Sequence, residues 1–194
     1  MSDILPIHYA LSEAAIVAAG AYAVGKAWPI NRWFAIGLAA MALPALIGTI
    51  RIVLGMSGVF ITLHEFASRF GALFGLGCIF AAMLIREQVL QQQALPPILG
   101  LAAVSLDFFV PAFSMPLFGA FIFGGAFLAF REAPNRRFLA AGSYAFLTCS
   151  ALFSAPLRVT YPGLGWHVFH MLVGLWFVLV ATFVPMRRET PNAV

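Results

Sequence analysis

The stretch LGWHVFHMLVGLWFVLVATFVP, residues 164–185, decides the fold class of this chain. It contains no Asp, Glu, Lys or Arg. A helix rises about 1.5 Å per residue, so a stretch of this length would cross a hydrocarbon core about 30 Å thick. His167 and His170 lie near its start. This pattern predicts a membrane-spanning helix that carries two polar side chains.

The whole chain has the same character. Of its 194 residues, 62% are hydrophobic and 9% are charged, and the mean hydropathy is +0.97. A soluble domain carries roughly 25% charged residues, and a disordered chain needs low hydrophobicity. Both classes are therefore excluded. We expect an all-α, polytopic membrane bundle that forms a single integral membrane domain over residues 1–194.

Charged and Pro/Gly-rich breaks divide the chain into seven apolar segments. These predicted segments are 4–27, 32–54, 60–85, 96–111, 115–130, 138–156 and 164–185. The fourth and fifth are short and are separated by only three residues. Seven transmembrane helices are expected, with six spans and a re-entrant hairpin as the alternative.

Lys and Arg residues indicate the orientation, because they concentrate in cytoplasmic loops. Eight lie on one side of the predicted bundle, and only Arg51 and Arg158 lie on the other. The eight are Lys26, Arg32, Arg86, Arg131, Arg136, Arg137, Arg187 and Arg188. The N-terminus is therefore expected outside and the C-terminus in the cytoplasm. The start lacks a basic segment, so no cleaved signal peptide is expected.

These features also limit the partners. The net charge of +4 lies at helix ends rather than in a patch, so nucleic acid is not an expected partner. Membrane lipids are expected partners, and the chain could form a homo-oligomer or join a larger membrane complex. The expected location is the cell membrane, in a bacterium the inner membrane. Cys78 and Cys149 both lie in apolar stretches, so no disulfide is expected.

Ionisable side chains inside a membrane are costly, so each one requires a reason. Counted from the predicted helix ends, they all fall in the outer half of the bilayer. They are His8, Glu13, Arg51, His64, Glu65, Arg69, Asp107, His167 and His170. We predict one polar cavity near the outer face. Glu65 and Arg69 are four residues apart, a spacing that favours an ion pair on one helix.

The histidines suggest a metal site. His167 and His170 are three residues apart, so they share one side of a helix, and His64 is expected at a similar depth. Imidazole and carboxylate groups suit zinc, so we predict a site of His64, His167, His170 and Asp107. A zinc-bound water could hydrolyse a lipid amide or ester, with Asp107 or Glu13 handling the proton. In the simplest alternative, these groups only hydrogen-bond across helices.

Arginines supply a further element of the predicted site. Arg51 and Arg158 are expected near the outer surface, where a guanidinium can bind an anionic lipid headgroup. They are therefore predicted to bind the substrate headgroup.

The segment WHVFHMLVGLW, residues 166–176, resembles the last helix of the CREST superfamily of membrane hydrolases. That superfamily includes alkaline ceramidases and adiponectin-receptor-like proteins. The resemblance implies a seven-helix hydrolase whose zinc is held by a serine, an aspartate and three histidines, with His170 as the second histidine of the last helix. The family spaces its last two histidines four apart, whereas Trp166 stands four residues before His170 here.

Two other functional classes are open. In a haem b electron-transfer subunit, His64 and a histidine of the last helix would be the axial ligands. In a transporter or accessory subunit of a larger complex, the polar residues would have no catalytic role. A retinal protein is excluded because the only lysine, Lys26, lies at a predicted helix end. Nucleotide-binding, serine-hydrolase and thiol-redox motifs are absent from the sequence.

Overall fold

The computed structural model of the chain describes residues 5–85 and 94–184. Over these ranges the regular structure is entirely helical, as predicted. The helices are α1 (His8–Ala27), α2 (Arg32–Val53), α3 (Val59–Leu84), α4 (Leu95–Phe109), α5 (Ser114–Glu132), α6 (Arg137–Thr160) and α7 (Pro162–Phe183). A 3-10 turn, Pro111–Phe113, joins α4 to α5. Arg86, Arg187 and Arg188, which contributed to the predicted orientation, lie outside the described residues.

Five of the helices in the described ranges are long and apolar enough to cross a membrane. They are α2, α3, α5 together with the turn before it, α6 and α7. Helix α4 is apolar but has only 15 residues. Large apolar side chains such as Leu101, Phe123 and Phe138 are exposed on the outer surface. An exposed apolar surface of this kind suits a lipid environment, so the integral membrane class is supported.

The helices pack in an order that closes the bundle on itself. Helix α1 contacts α2 and α7, α2 contacts α3, and α3 contacts both α4 and α5. Helix α5 contacts α6, and α6 contacts α7. The first and last helices are therefore neighbours, which brings α1 residues beside the histidines of α7.

Helices α2 and α3 approach closely at two glycines. A Cβ atom on Gly75 would lie 2.5 Å from the carbonyl oxygen of Gly37, and one on Gly37 would lie 2.6 Å from that of Gly75. No real side chain tolerates such distances. Small residues at this crossing allow the two backbones to touch, which is typical of helix packing in membranes. The contact fixes α3, and with it His64, against α2.

Candidate functional site

The candidate site is a cavity of about 430 Å³ inside the bundle. Its volume lies in the range of about 300–1,000 Å³ that is usual for small-molecule sites. Its walls are mostly apolar, with a small set of polar and charged residues. These are Glu13, His64, Ser68, Arg69, Ser114, Ser150, Arg158 and His170. An apolar cavity with a few polar groups is the usual form of a ligand site.

Glu13 occupies the centre of the polar part of the cavity. It lies on α1 and is 1% exposed. Its carboxylate stands between two imidazoles, with Oε2 at 3.2 Å from Nε2 of His170 and Oε1 at 3.6 Å from Nε2 of His64. The packing of α1 against α7 brings His170 to this carboxylate, and the α2–α3 contact supports His64. We call Glu13, His64 and His170 the acid–base cluster.

His170 and Glu13 are placed so that they can exchange a proton. Nδ1 of His170 lies 2.7 Å from the backbone carbonyl oxygen of Trp166, which can only accept a hydrogen bond, so this contact favours the tautomer with a hydrogen on Nδ1. Nε2 then faces Oε2 of Glu13 at 3.2 Å. A proton between these two atoms would give a pair without net charge, which suits a low-dielectric interior.

The other carboxylate oxygen of Glu13 is free to accept a proton. Oε1 is buried and has no hydrogen-bond partner among the described residues. Its distance of 3.6 Å from His64 exceeds the range of about 2.7–3.2 Å that is usual for such a bond. Buried polar atoms are nearly always paired. This oxygen, at the wall of the cavity, is therefore available to a water molecule or a ligand.

Gly48 of α2 makes room for the acid–base cluster. A Cβ atom at this position would lie 2.6 Å from Oε1 of Glu13 and 3.0 Å from Nε2 of His64. The atoms it would meet are the ends of side chains, which can move without disturbing the helices.

We expect Gly48→Ala to fold with a thermal midpoint close to that of the wild type while displacing the Glu13 carboxylate. Hydrolysis of a lipid amide or ester, the activity predicted from sequence, should fall about tenfold, because a small displacement of a group that handles a proton lowers the rate. Gly174→Ala is the control, since its new Cβ would meet Ala19 at an ordinary 4.0 Å. Thermal unfolding and turnover measured on both variants test this expectation. Equal activity in the two would contradict the assigned role of Gly48.

Asp107 has a different environment from the one predicted for a metal ligand or base. Its side chain is fully buried, and Arg69 contacts it with Nε at 2.7 Å from Oδ2 and Nη2 at 3.2 Å from Oδ1. Ser114 hydrogen-bonds to Oδ1 as well. Both carboxylate oxygens are thus engaged. The predicted pairing of Arg69 with Glu65 is wrong, because α4 places the buried Asp107 closer while Glu65 is exposed.

His167 lies outside the acid–base cluster although it is only three residues from His170. Its Nδ1 lies 3.1 Å from the hydroxyl of Ser12. Its ring stacks on Tyr9 with centroids 5.4 Å apart, and the exposed ring of His8 is also 5.4 Å away. Two consecutive residues of α1 therefore contact different histidines of α7: Ser12 contacts His167, and Glu13 contacts His170.

The four predicted metal ligands do not form one cluster. His64 and His170 meet at Glu13, whereas His167 and Asp107 have the partners described above. Within residues 5–85 and 94–184, no group of three or more His, Cys, Asp or Glu side chains is arranged to hold a metal ion.

The two arginines predicted to bind a headgroup are separated. Arg158 lines the cavity, and its Cζ lies 4.8 Å from the ring centroid of Phe169. Arg51 is buried near the end of α2 and is not among the described residues that line the cavity. The Nε of Arg51 has no hydrogen-bond partner within the part of the chain that the structure describes.

Several contributing residues could not be identified from sequence. Trp166 stacks on His170 with centroids 4.6 Å apart, and its carbonyl oxygen sets the tautomer of that ring. Gly48 leaves room for the side chains of Glu13 and His64, and the hydroxyl of Ser12 contacts His167. Of these three residues, only Trp166 could have been suspected from the sequence, because it lies one helical turn before His170.

Comparison with known proteins gives no relative on which to base a function. No protein-family model, curated protein or solved structure matches this chain. The relationship to the CREST superfamily therefore stays a prediction from residues 166–176.

Proposed function

We propose that this chain is an integral protein of the cell membrane with seven membrane-crossing helices, the N-terminus outside and the C-terminus in the cytoplasm. In a bacterium this membrane would be the inner one. The five long apolar helices, the exposed apolar surface and the distribution of Lys and Arg support this proposal. Helices α1 and α4 would complete the seven. The acid–base cluster would then lie in the outer half of the bilayer.

We further propose that the cavity binds a lipid-like molecule and that the protein hydrolyses an amide or ester bond in it. One observation carries this proposal: a buried carboxylate and an imidazole lie 3.2 Å apart at the wall of an apolar cavity. In the proposed reaction, Glu13 accepts a proton from the attacking water through its free Oε1. His170 then donates a proton to the leaving amine or alcohol. General acid–base groups of this kind contribute about 10²–10⁴-fold to a rate.

Zinc is the cofactor that the resemblance implies, so its fit to these residues matters. The acid–base cluster offers one carboxylate and two imidazoles, a donor set that zinc accepts. His170 donates its other ring N–H to a carbonyl oxygen, which is typical of a metal-bound histidine. The structure does not, however, arrange these three side chains to hold a metal ion, so they do not fit zinc as they stand, and no step of the proposed reaction depends on it.

Hydrolysis of long-chain amides and esters by the full chain in lipid nanodiscs tests this function. His64→Ala and His170→Ala should each lower turnover about tenfold or more, because each removes a member of the acid–base cluster. His167→Ala is the matched control, since it lies on the same helix and contacts Ser12 instead. It should retain wild-type turnover. A folded wild-type protein that cleaves no amide or ester would contradict the proposal.

Elemental analysis of the same preparations decides the metal question. About one zinc per chain, lost in His170→Ala and kept in His167→Ala, would show that zinc does bind at the acid–base cluster. Full zinc content in both variants would reject that binding site. Iron together with a haem absorption band would instead favour the electron-transfer class. A haem between His64 and His170 would have to displace Glu13, which contacts both.

A transporter or accessory subunit is the second candidate. It is favoured by a specific observation: Glu13 and His170, two groups that can exchange a proton, lie 3.2 Å apart inside the bundle, as in proton relays of membrane transporters. Proton movement into proteoliposomes that depends on Glu13, without any hydrolysis, would support this class.

A further inference from the structure

Two arginines line the cavity, and within residues 5–85 and 94–184 only one of them has a carboxylate partner. Arg69 is paired with the buried Asp107 through two contacts. Arg158 has no hydrogen-bond or carboxylate partner among the described residues, and its guanidinium lies over the ring of Phe169. Arg158 is exposed and also lines the cavity, so this cation is accessible to a ligand and no side chain in those ranges compensates its charge.

Arg158 lies close to the acid–base cluster, because Arg158 and His170 contact the same aromatic ring. It lies in the last turn of α6, and its Cζ is 4.8 Å from the centroid of the Phe169 ring. That ring in turn meets His170 edge to face, with centroids 5.1 Å apart. A single aromatic ring thus separates the guanidinium from His170. Contact with a ring face leaves the N–H groups at the guanidinium edges available for an anion.

The rest of the cavity suits a hydrocarbon chain. Ile16, Met41, Leu73, Phe118, Leu147 and Val173 belong to its walls. An apolar molecule gains free energy when it leaves water for such walls, whereas its polar end requires a partner. The cavity therefore offers one apolar compartment, one acid–base cluster and one free cation.

We propose that the cavity binds a single-chain amphiphile whose anionic group pairs with Arg158 and lies a few bonds from its amide or ester. An acyl chain joined to a small carboxylate or phosphate-bearing group has this chemistry. The statement about the cleaved bond rests on the proposed hydrolase function, whereas the binding of the anionic group does not. Arginine pairs with both carboxylate and phosphate through two parallel hydrogen bonds.

Binding measurements on the full chain in nanodiscs of neutral phosphatidylcholine test this proposal. Suitable probes with equal chains are N-dodecanoylglycine, dodecyl phosphate and the neutral N-dodecanoylethanolamine. The wild type should bind at least one anionic probe about tenfold or more tightly than the neutral one, which corresponds to one charge-assisted contact. The preferred anionic probe identifies the group as carboxylate or phosphate.

Variants at position 158 give the decisive comparison. Arg158→Gln should lose the preference for the anionic probe and keep the affinity for the neutral one, while Arg158→Lys should retain part of the preference. Arg137→Gln is the matched control, because Arg137 begins the same helix and contacts Phe130 instead. A wild type without preference, or an Arg158→Gln variant that keeps it, would overturn the proposal. Thermal unfolding of each variant verifies that it is folded.

The outcome is separable from that of the hydrolase proposal. Arg158-dependent binding of an anionic probe that is never cleaved would support this inference and contradict hydrolysis. Hydrolysis of neutral amphiphiles that is unaffected by substitution of Arg158 would support the hydrolase function and contradict the role of Arg158.

Discussion

Replacing Glu13 by glutamine is expected to lower hydrolysis of a lipid amide or ester by about 100-fold or more. The amide of glutamine has nearly the same shape as the carboxylate but cannot accept a proton from water at Oε1. It also cannot share a proton with His170, which now contacts the carboxylate at 3.2 Å. The variant therefore removes the proton chemistry and leaves the packing of α1 against α7 unchanged.

Stability and turnover measured together make this test specific. The glutamine NH₂ can donate to Nε2 of His170, so the thermal midpoint of Glu13→Gln should stay close to that of the wild type. Glu13→Ala should lose both activity and stability, because it leaves two imidazoles facing the cavity without their partner. If Glu13→Gln retained activity within about threefold, the role of Glu13 in general acid–base catalysis would be rejected.

Breaking the ion pair between Arg69 and Asp107 should clearly lower the stability of this chain. Asp107 is fully buried, and Arg69 and Ser114 engage its two oxygens. Arg69→Met would keep the unbranched stem of the side chain and leave a buried carboxylate without its counter-ion. The Arg69 side chain is itself 46% exposed, so the loss should be smaller than for a pair that is buried on both sides. We expect the thermal midpoint to fall by about 5 °C or more.

A double variant separates this ion pair from general packing effects. Arg69→Met combined with Asp107→Asn leaves no charge to compensate, so it should recover much of the stability that Arg69→Met alone loses. Thermal unfolding in one detergent measures all the variants. If the losses of the two single variants simply added in the double variant, the two side chains would not be coupled, and the pair would not stabilise α3 against α4.

Helix α7 illustrates why a site is harder to predict than a helix. The spacing of His167 and His170 correctly places both on one side of the helix, since residues three apart are about 60° apart around its axis. That angle is small on an isolated helix. It is large enough, however, for two consecutive residues of α1 to separate the rings, with Ser12 beside His167 and Glu13 beside His170. Only the packing of α1 on α7 reveals this division.

Arg69 provides the second example. The i, i+4 rule favours Glu65 as its partner because the rule considers one helix at a time. The observed partner, Asp107, is 38 residues away in sequence and lies on α4. A carboxylate that is buried at a helix interface needs a counter-ion more than an exposed carboxylate does, so Arg69 pairs with Asp107 rather than with Glu65.

The sequence by itself determined the class of protein: the helical segments, their approximate ends and the polar residues that an apolar bundle must accommodate. These properties depend on composition and on spacing along the chain, which one helix can satisfy alone. The tertiary structure decided which polar residues meet, namely Glu13 with His64 and His170, Asp107 with Arg69, and Arg158 with Phe169. Those contacts depend on which helices are neighbours and how closely they approach, as at Gly48, and no local pattern encodes that geometry.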